Sequence, residues 1–237
     1  RDVLGSRGLG DVYKRQALDV QMTRQELNKW VLRSHSLAKQ AREAGVLEPY
    51  LVGVQGATAD AGIRDRISER FLDKLPPLLP DGAILTAGNT CLMHDGAAFL
   101  MVASERYVKE HNLTPLAEIV DSVTVGGNPD KSPETAILAI QKLLAKTKHT
   151  AEDIAVFECN EAFAVIDELF ARAYPEAVDH YNRYGGALAY GHPYGASGGI
   201  ITIHACRALQ ETPGYAVCSI AAAGGIGHAL LLRAGGM

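Results

Sequence analysis

Hydrophobic and polar positions follow two periods along this chain, and their order predicts an α/β protein. From Thr23 to Gly45 the apolar residues recur at helical spacing, and Thr23 with Glu26 forms a capping-box pattern at the start. Short apolar runs typical of buried strands begin at 83 and cover 154–158, 215–220 and 226–232. Helical patterns cover 133–146, about 161–170 and 197–210. Helices therefore alternate with strands, as in the α/β class.

Local signals refine these boundaries. Ser132-Pro133-Glu134 has the order of a helix start, with a cap, a proline in the first turn and an acid towards the dipole. Asn160 is predicted to cap the helix that follows it, and Asp95–Ala98 is predicted to lead into a buried strand. Residues 46–83 are predicted to be rich in loops, with one short helix around 67–74.

Composition and charge exclude several classes of protein. With 47% hydrophobic and 21% charged residues the chain is globular, and a net charge of −4 without a basic stripe argues against a nucleic-acid partner. No apolar run has the length of a membrane span, and the N-terminus lacks a secretory pattern, so we expect a cytoplasmic protein. The four cysteines contain no CxxC pair, which predicts free thiols and no metal site.

Two polar sites could carry chemistry. His192 precedes Pro193 and lies among six glycines between 185 and 199, which allow the backbone to approach a ligand. Its imidazole is either a general base or a structural histidine, and the residues alone leave both open. Asn160 is likewise either a helix cap or a group that orients a water or an oxyanion. The glycines of 222–227 lack the GxGxxG spacing, so a dinucleotide site is rejected.

Four segments together resemble one family, the thiolases, which are acyl-CoA C-acyltransferases. The segments are "TAGNTCLMHDGAA" (86–98), "NEAFAV" (160–165), "GGALAYGHPYGASG" (185–198) and "AAGGIGHA" (222–229). They stand in the family's order, and the resemblance covers roughly residues 17–235. It implies a five-layer αβαβα fold of two similar halves with an inserted loop domain. It also implies a homodimer or homotetramer for the full-length protein.

The resemblance also predicts how the chain is divided. Residues 17–113 would hold the end of the loop domain (17–82) and the last part of the N-terminal half (83–113). Residues 114–237 would form the C-terminal half. Residues 1–16 have no clear helical or strand period, and we expect them to be a non-native segment.

The family's reaction implies roles for individual residues. A cysteine nucleophile takes an acyl group from one coenzyme A (CoA) thioester, and a second cysteine removes the α-proton of another acyl-CoA. The reverse reaction cleaves 3-ketoacyl-CoA. By resemblance, His192 activates the nucleophile and helps to bind the thioester oxygen, and Asn160 holds a water in an oxyanion hole. The residues predicted to contact CoA, a substrate and not a tightly bound cofactor, are Cys91, Arg64, Gly191 and Ser197.

Two departures from the family qualify this interpretation. None of the four cysteines matches the nucleophile motif, so we expect the chain to be a fragment that is inactive alone. The family's proton-transfer cysteine falls on Ala221, and Cys218 is the candidate substitute. An offset of three residues on a strand, however, places Cys218 on the opposite face. A non-catalytic acyl-CoA-binding or scaffold subunit is therefore an alternative, as is acyl transfer without an α-proton base.

Overall fold

The computed structural model describes residues 6–79 and 82–235, with side chains described for 10–79 and 84–235. Two elements at the start are α1 (Ser6–Asp19) and α2 (Arg24–Glu43). The middle part contains α3 (Glu69–Asp73), β1 (Pro77–Leu79), β2 (Gly82–Thr86), α4 (Glu105–Glu110) and β3 (Ala117–Gly126). The last part contains α5 (Glu134–Thr147), β4 (Ile154–Cys159), α6 (Ala164–Ala173), α7 (Ala187–Tyr190), α8 (Ser197–Glu211), β5 (Tyr215–Ala222) and β6 (Ile226–Ala234).

The main sheet has four strands in the order β3-β6-β5-β4. Strands β4 and β5 are parallel, whereas β6 is antiparallel to both β5 and β3. A three-residue loop at 223–225 joins β5 to β6, and its Gly224 and Gly225 have φ values of +86° and +78° that favour glycine. Strands β1 and β2 form a separate two-stranded sheet.

Each face of the main sheet is covered by helices. On β4, the side chain of Phe157 joins the core under α5 and α6, whereas Val156 joins the core under α8. Successive side chains of a strand point to opposite faces, so both faces of β4 are buried and its run is apolar throughout. The described residues thus build three layers, and the predicted α/β class is confirmed.

The first long helix behaves as its sequence indicates. Thr23 caps α2, and its side chain and the Glu26 carboxylate satisfy each other's backbone N–H groups in a capping box. The buried face of α2 packs on α6 and α7. This packing brings Arg33, Ser34 and His35 to the part of the molecule that holds the candidate site.

Three local expectations were wrong, and helix α1 was not expected. The first concerns Ser132, which does not cap α5, because the N-cap is Pro133 and the Ser132 hydroxyl accepts from the Gly225 backbone N–H. Residues 6–19 form helix α1, whose Gln16 exchanges hydrogen bonds with Glu134, although the segment shows no apolar period. That residues 1–16 are a non-native segment stays a prediction. Asn160 does not cap α6, because three residues separate them and the N-cap is Phe163.

The third wrong expectation concerns the strand predicted after Asp95–Ala98. Residues 97–103 have no regular secondary structure, and the Phe99 side chain is 89% exposed. A run that is apolar on both faces is typical of an inner strand, which needs a neighbouring strand on each edge. The described part of the chain offers this segment no such neighbour. None of the described helices is long and apolar enough to cross a membrane.

Candidate active site

The candidate site lies at the edge of the sheet where β4 and β5 end. Asn160 directly follows β4, and the 223–225 loop directly follows β5. Helix α8 begins near the same edge, since it runs back from the carboxyl end of β4 to the start of β5, and His192 precedes it. In open α/β sheets, ligands bind outside the carboxyl ends of the strands.

A short extended segment, 89–93, connects the two polar sites through backbone hydrogen bonds. On one side, Cys91 N–H donates to the Ala162 carbonyl at 3.1 Å, two residues after Asn160. On the other side, His192 N–H donates to the Leu92 carbonyl at 2.8 Å. The segment therefore holds the Asn160 loop and the His192 loop on its two edges.

His192 is half-buried and is oriented by the first residue of α8. Its Nδ1 lies 2.5 Å from the Ser197 hydroxyl, and burial lowers the pKa of the imidazole. An imidazole that is largely neutral at pH 7 can exchange a proton with a substrate or a thiol through Nε2. Gly191, immediately before it, has φ +94°, and a Cβ there would lie 1.5 Å from the His94 ring.

Asn160 is buried and has an unused donor. Its backbone N–H donates to the Ser219 carbonyl at 3.0 Å, which fixes the residue at the sheet edge. The side chain is 2% exposed, and its Nδ2 has no hydrogen-bond partner among the described residues. A buried donor without a partner costs free energy, and a ligand or a water would satisfy it.

Glu161 organises the site, a role that the sequence did not indicate. Its carboxylate accepts from the Ser34 hydroxyl at 2.6 Å, from Asn182 Nδ2 at 2.9 Å and from the Leu188 backbone N–H at 3.1 Å. These donors come from α2, the loop before α7, and α7 itself. Gly186 leaves room for the carboxylate, since a Cβ there would lie 2.5 Å from it. Only the position of Glu161 in the NEAF segment could have indicated it.

The predicted CoA-contacting residues do not share one cavity: Arg64 lines a cavity beside segment 89–93, and Gly191 lines another. The first cavity has a volume of about 130 Å³, and its lining includes Arg64, Thr90 and Leu92. Cys91 lies in the same segment as Thr90, and burial raises the pKa of its thiol to about 12. Thr90 Oγ1 is buried and has no hydrogen-bond partner among the described residues. Ser197 lies on the other side of the segment, against His192.

Cys218 and Ala221 lie on opposite faces of β5. Cys218 packs under α8, and its thiol donates to the Ile201 carbonyl at 3.7 Å. Ala221 packs with the core on the α5 side, two residues beyond the Ser219 whose carbonyl binds Asn160. Burial raises the pKa of the Cys218 thiol well above its usual value. The structure thus bonds the loops of Asn160 and His192 to the segment that holds Cys91, and it packs the Cys218 side chain under α8.

Comparisons with known proteins agree with this architecture. A sequence model of the thiolase C-terminal domain matches residues 113–234, and one of the thiolase N-terminal domain matches residues 5–106. The chain belongs to the thiolase family. The expected thiolase fold is confirmed by the crystal structure of Bacillus anthracis acetyl-CoA acetyltransferase, at a TM-score of 0.88 and 30% identity. That alignment covers 95% of this chain and 60% of the other.

Curated relatives of this thiolase chain carry two names. It is 36% identical to the acetyl-CoA acetyltransferase of Synechocystis sp., covering 97% of this chain and 61% of the relative. It is 34% identical to the mitochondrial 3-ketoacyl-CoA thiolase of Homo sapiens, covering 92% and 57%. A structure of the human mitochondrial enzyme in complex with CoA superposes at a TM-score of 0.88 and 32% identity, covering 95% of this chain and 58% of that chain. The chain spans about three fifths of the length of these relatives.

The four cysteines of the thiolase chain are expected to react slowly. Burial raises the pKa of each thiol, and three of the four cysteines are buried. Because the thiolate is the reactive form, alkylation by iodoacetamide at pH 7.5 should be at least about 100-fold slower than that of glutathione. All four should react at the glutathione rate in denaturant. One fast-reacting cysteine in the folded chain would contradict this and become the candidate nucleophile.

His35 is expected to make the stability of the thiolase chain depend on pH. Its Nδ1 accepts from the Arg64 backbone N–H at 3.1 Å, and burial together with the Arg64 charge lowers its pKa from 6.5 to about 4. The unfolded chain binds a proton near pH 6.5 whereas the folded chain does not, so stability falls as the pH drops from about 6.5 to about 4. We expect the free energy of unfolding to fall by about 2 kcal/mol between these two pH values. This figure is already reduced to allow for the partial hydration of His35.

Urea unfolding at a series of pH values measures this loss. The matched variant is His35→Asn, whose side-chain oxygen can accept the same N–H without titrating. The difference between the two proteins should grow as the pH falls. Parallel profiles for the two proteins would show that His35 is protonated in the folded state.

Proposed function

We propose that this thiolase chain belongs to an acyl-CoA C-acyltransferase that condenses two acyl-CoA molecules or cleaves 3-ketoacyl-CoA. The observation that carries the proposal is that segment 89–93 holds the Asn160 loop on one edge and the His192 loop on the other. The first loop offers a buried, unused N–H donor, and the second a near-neutral imidazole. Acyl transfer requires both a donor to a developing oxyanion and a group that moves a proton.

His192 would act on the sulfur and oxygen atoms of the thioester. The Ser197 hydroxyl holds Nδ1 and thereby directs Nε2 away from α8. As a base, Nε2 would take the proton of the attacking thiol. As a donor, it would stabilise the thioester oxygen while negative charge develops there.

Asn160 would supply the second donor. A pre-oriented N–H costs no reorganisation at the moment of reaction, and removing one such donor typically costs about 10²–10³ in rate. The backbone bond to Ser219 and the neighbouring Glu161 network keep this residue in place. The amide could bind the oxyanion directly or through a water, which satisfies the same donor.

The cavity beside segment 89–93 is the proposed binding site for the pantetheine arm of CoA. Its apolar lining includes Ile67, Leu72 and Leu188, and Arg64 lies at its side as a partner for a phosphate group. The CoA complex of the human mitochondrial relative supports CoA as the ligand. We propose CoA thioesters as substrates and no tightly bound cofactor.

The nucleophilic thiol is proposed to come from outside these four cysteines. A reactive cysteine needs a lowered pKa, whereas burial raises the pKa of all four here. The remaining two fifths of the relatives' length is the proposed source. A cytoplasmic location and a homodimer or homotetramer of the whole protein remain proposals as well.

One alternative has a specific observation in its favour. Ala221 cannot transfer a proton, and Cys218 lies on the opposite face of β5. A non-catalytic thiolase-like subunit that binds acyl-CoA, or an acyltransferase that removes no α-proton, would tolerate alanine at 221. The retained His192 and Asn160 favour an enzyme.

A chimera tests these functions. The part of the Synechocystis relative that this chain does not match is placed before residue 6, so that helix α1 is kept, and acetyl-CoA is supplied. The proposal predicts covalent acylation with release of CoA, slow condensation, and about tenfold or more faster condensation in the Ala221→Cys variant. Binding of acetyl-CoA without acylation would favour the non-catalytic subunit. Condensation at the relative's rate, unaffected by Cys218→Ala, would show that another base exists.

A further inference from the structure

Glu158 is a buried carboxyl group that the proposed mechanism does not use. It lies on β4, two residues before Asn160, and faces the α8 side of the sheet. The residue is 0% exposed, its carboxyl oxygens make no full hydrogen bond among the described residues, and the Arg183 backbone N–H points towards them. At this depth an ionised carboxylate without a partner would be strongly destabilising.

Two polar groups face Glu158, the Cys218 thiol of β5, which is its cross-strand partner, and His204 on α8. The Nδ1 of His204 lies 3.8 Å from Glu158 Oε2 and also lacks a partner among the described residues. The imidazole donates a ring N–H towards the backbone of Gly185. The rings of Tyr184 and Tyr190 stand edge-on to it, with centroids 6.2 and 5.3 Å away. The imidazole is therefore buried between these rings and β4, and it also borders the cavity lined by Tyr190 and Gly191.

The protonation states of the two groups are complementary. Burial raises the pKa of Glu158 well above its usual value, and the neighbouring Glu161 adds to this, while Arg33 and Arg183 oppose it. Burial lowers the pKa of His204 to about 4. At neutral pH a neutral carboxyl offers one O–H donor, and a neutral imidazole protonated at Nε2 offers a lone pair at Nδ1.

We propose that Glu158 is a neutral acid whose O–H donates to His204 Nδ1, and that this pair positions the glycine loop that leads to His192. A rotation of the two side chains would close the 3.8 Å gap to hydrogen-bond distance. The bond fixes the tautomer of His204, so that its Nε2–H holds the Gly185 carbonyl. Both groups then act as positioning residues, since neither reaches the Asn160 amide or the His192 ring.

The path of this loop depends on its backbone conformation at Gly185. Its φ is +78°, and a Cβ there would lie 2.4 Å from the Ser34 carbonyl of α2. Seven residues further on, the loop reaches His192, whose own N–H is bonded to Leu92. The relevance of the pair to catalysis rests on the proposed function, but the hydrogen bond itself does not.

The isolated chain, without substrate, is sufficient for the test. Histidine-selective ¹⁵N NMR reports the tautomer of His204 and the hydrogen bonding of its Nδ1. Infrared difference spectra report whether Glu158 carries a proton. The variants are Glu158→Leu, which removes the donor, and Glu158→Gln, which keeps an N–H donor and loses the acid. Asp167→Asn is the matched control, because Asp167 is equally buried but bonds Tyr181.

The proposal predicts an Nε2–H tautomer for His204 from pH 8 to pH 5. It also predicts a protonated-carboxyl band that is lost in Glu158→Gln. The Nδ1 resonance should move downfield to the position of a free lone pair in Glu158→Leu, stay close to wild type in Glu158→Gln, and not move in Asp167→Asn. An Nδ1–H tautomer, an ionised Glu158, or an Nδ1 resonance unchanged by both Glu158 substitutions would overturn it.

Hydrogen exchange tests the positioning role separately. The amides of residues 185–192 should exchange about fivefold faster in Glu158→Leu, the loss expected for one neutral hydrogen bond, and near the wild-type rate in Glu158→Gln. Unchanged exchange in Glu158→Leu would refute positioning. If Glu158→Leu does not fold, the infrared band and the Nδ1 resonance of Glu158→Gln still decide the hydrogen bond. Failure of acyl transfer in the chimera would leave these outcomes unaffected.

Discussion

Replacing His192 by alanine is expected to slow acylation of the chimera by about 10²–10⁴-fold, the usual contribution of a general acid–base residue. The physical reason is that the neutral imidazole can take a proton at Nε2. The Ser197 hydroxyl holds the ring in one orientation at the carboxyl edge of the sheet. The release of CoA from acetyl-CoA in a single turnover measures the rate. The binding of acetyl-CoA should change far less, because the cavity lined by Arg64 and Leu188 remains.

His180→Ala is the control for this experiment. His180 is exposed and lies at the end of a short 3₁₀ helix at 175–180, in no contact with segment 89–93 that the structure describes. Acylation by this variant should equal that of the parent chimera. Normal acylation by His192→Ala would return His192 to the structural role that the sequence also allowed.

Replacing Glu161 by alanine is expected to lower the free energy of unfolding by about 3–5 kcal/mol, since three buried donors lose their acceptor. Ser34, Asn182 and Leu188 all donate to this one carboxylate, so α2 and α7 are joined through it. Urea unfolding at pH 7 measures the change. Glu161→Gln should cost less, because one side-chain oxygen still accepts.

The matched control is Glu152→Ala. Glu152 is an exposed acid in the turn before β4, and its removal should change stability by no more than about 0.5 kcal/mol. A similar small effect for Glu161→Ala would show that water replaces the carboxylate. The junction between α2 and α7 would then depend on apolar packing alone.

Much of the secondary structure could be predicted from local signals. The capping box at Thr23 and Glu26, the Ser132-Pro133 start and the apolar runs of β4, β5 and β6 are short-range patterns with local physical causes. Helix α5 begins at Glu134 as these signals indicate, with the acid towards the dipole, although Pro133 and not Ser132 stands at the N-cap. Such elements need little from the rest of the chain.

Other elements depend on distant parts of the chain. Asn160 has the composition of a helix cap, yet its backbone N–H is bonded to Ser219 and α6 starts later. Residues 97–103 have the pattern of a buried strand, yet the described chain supplies no neighbouring strand. Glu161 has the pattern of a first-turn acid, yet its partners come from α2 and α7. In each case a long-range contact outweighs a local preference.

The sequence by itself determined the family and the α/β class, and it proposed His192 and Asn160 as the two polar residues of the candidate site. Four motifs in order and the alternating periods suffice for these, because they depend on residue types and spacing alone. Only the tertiary structure decided which residues meet. Segment 89–93 joins Asn160 to His192, Cys218 lies beneath α8, and Glu158 faces His204. Hydrogen bonds and burial between residues far apart in the chain set these relations, and no local pattern contains them.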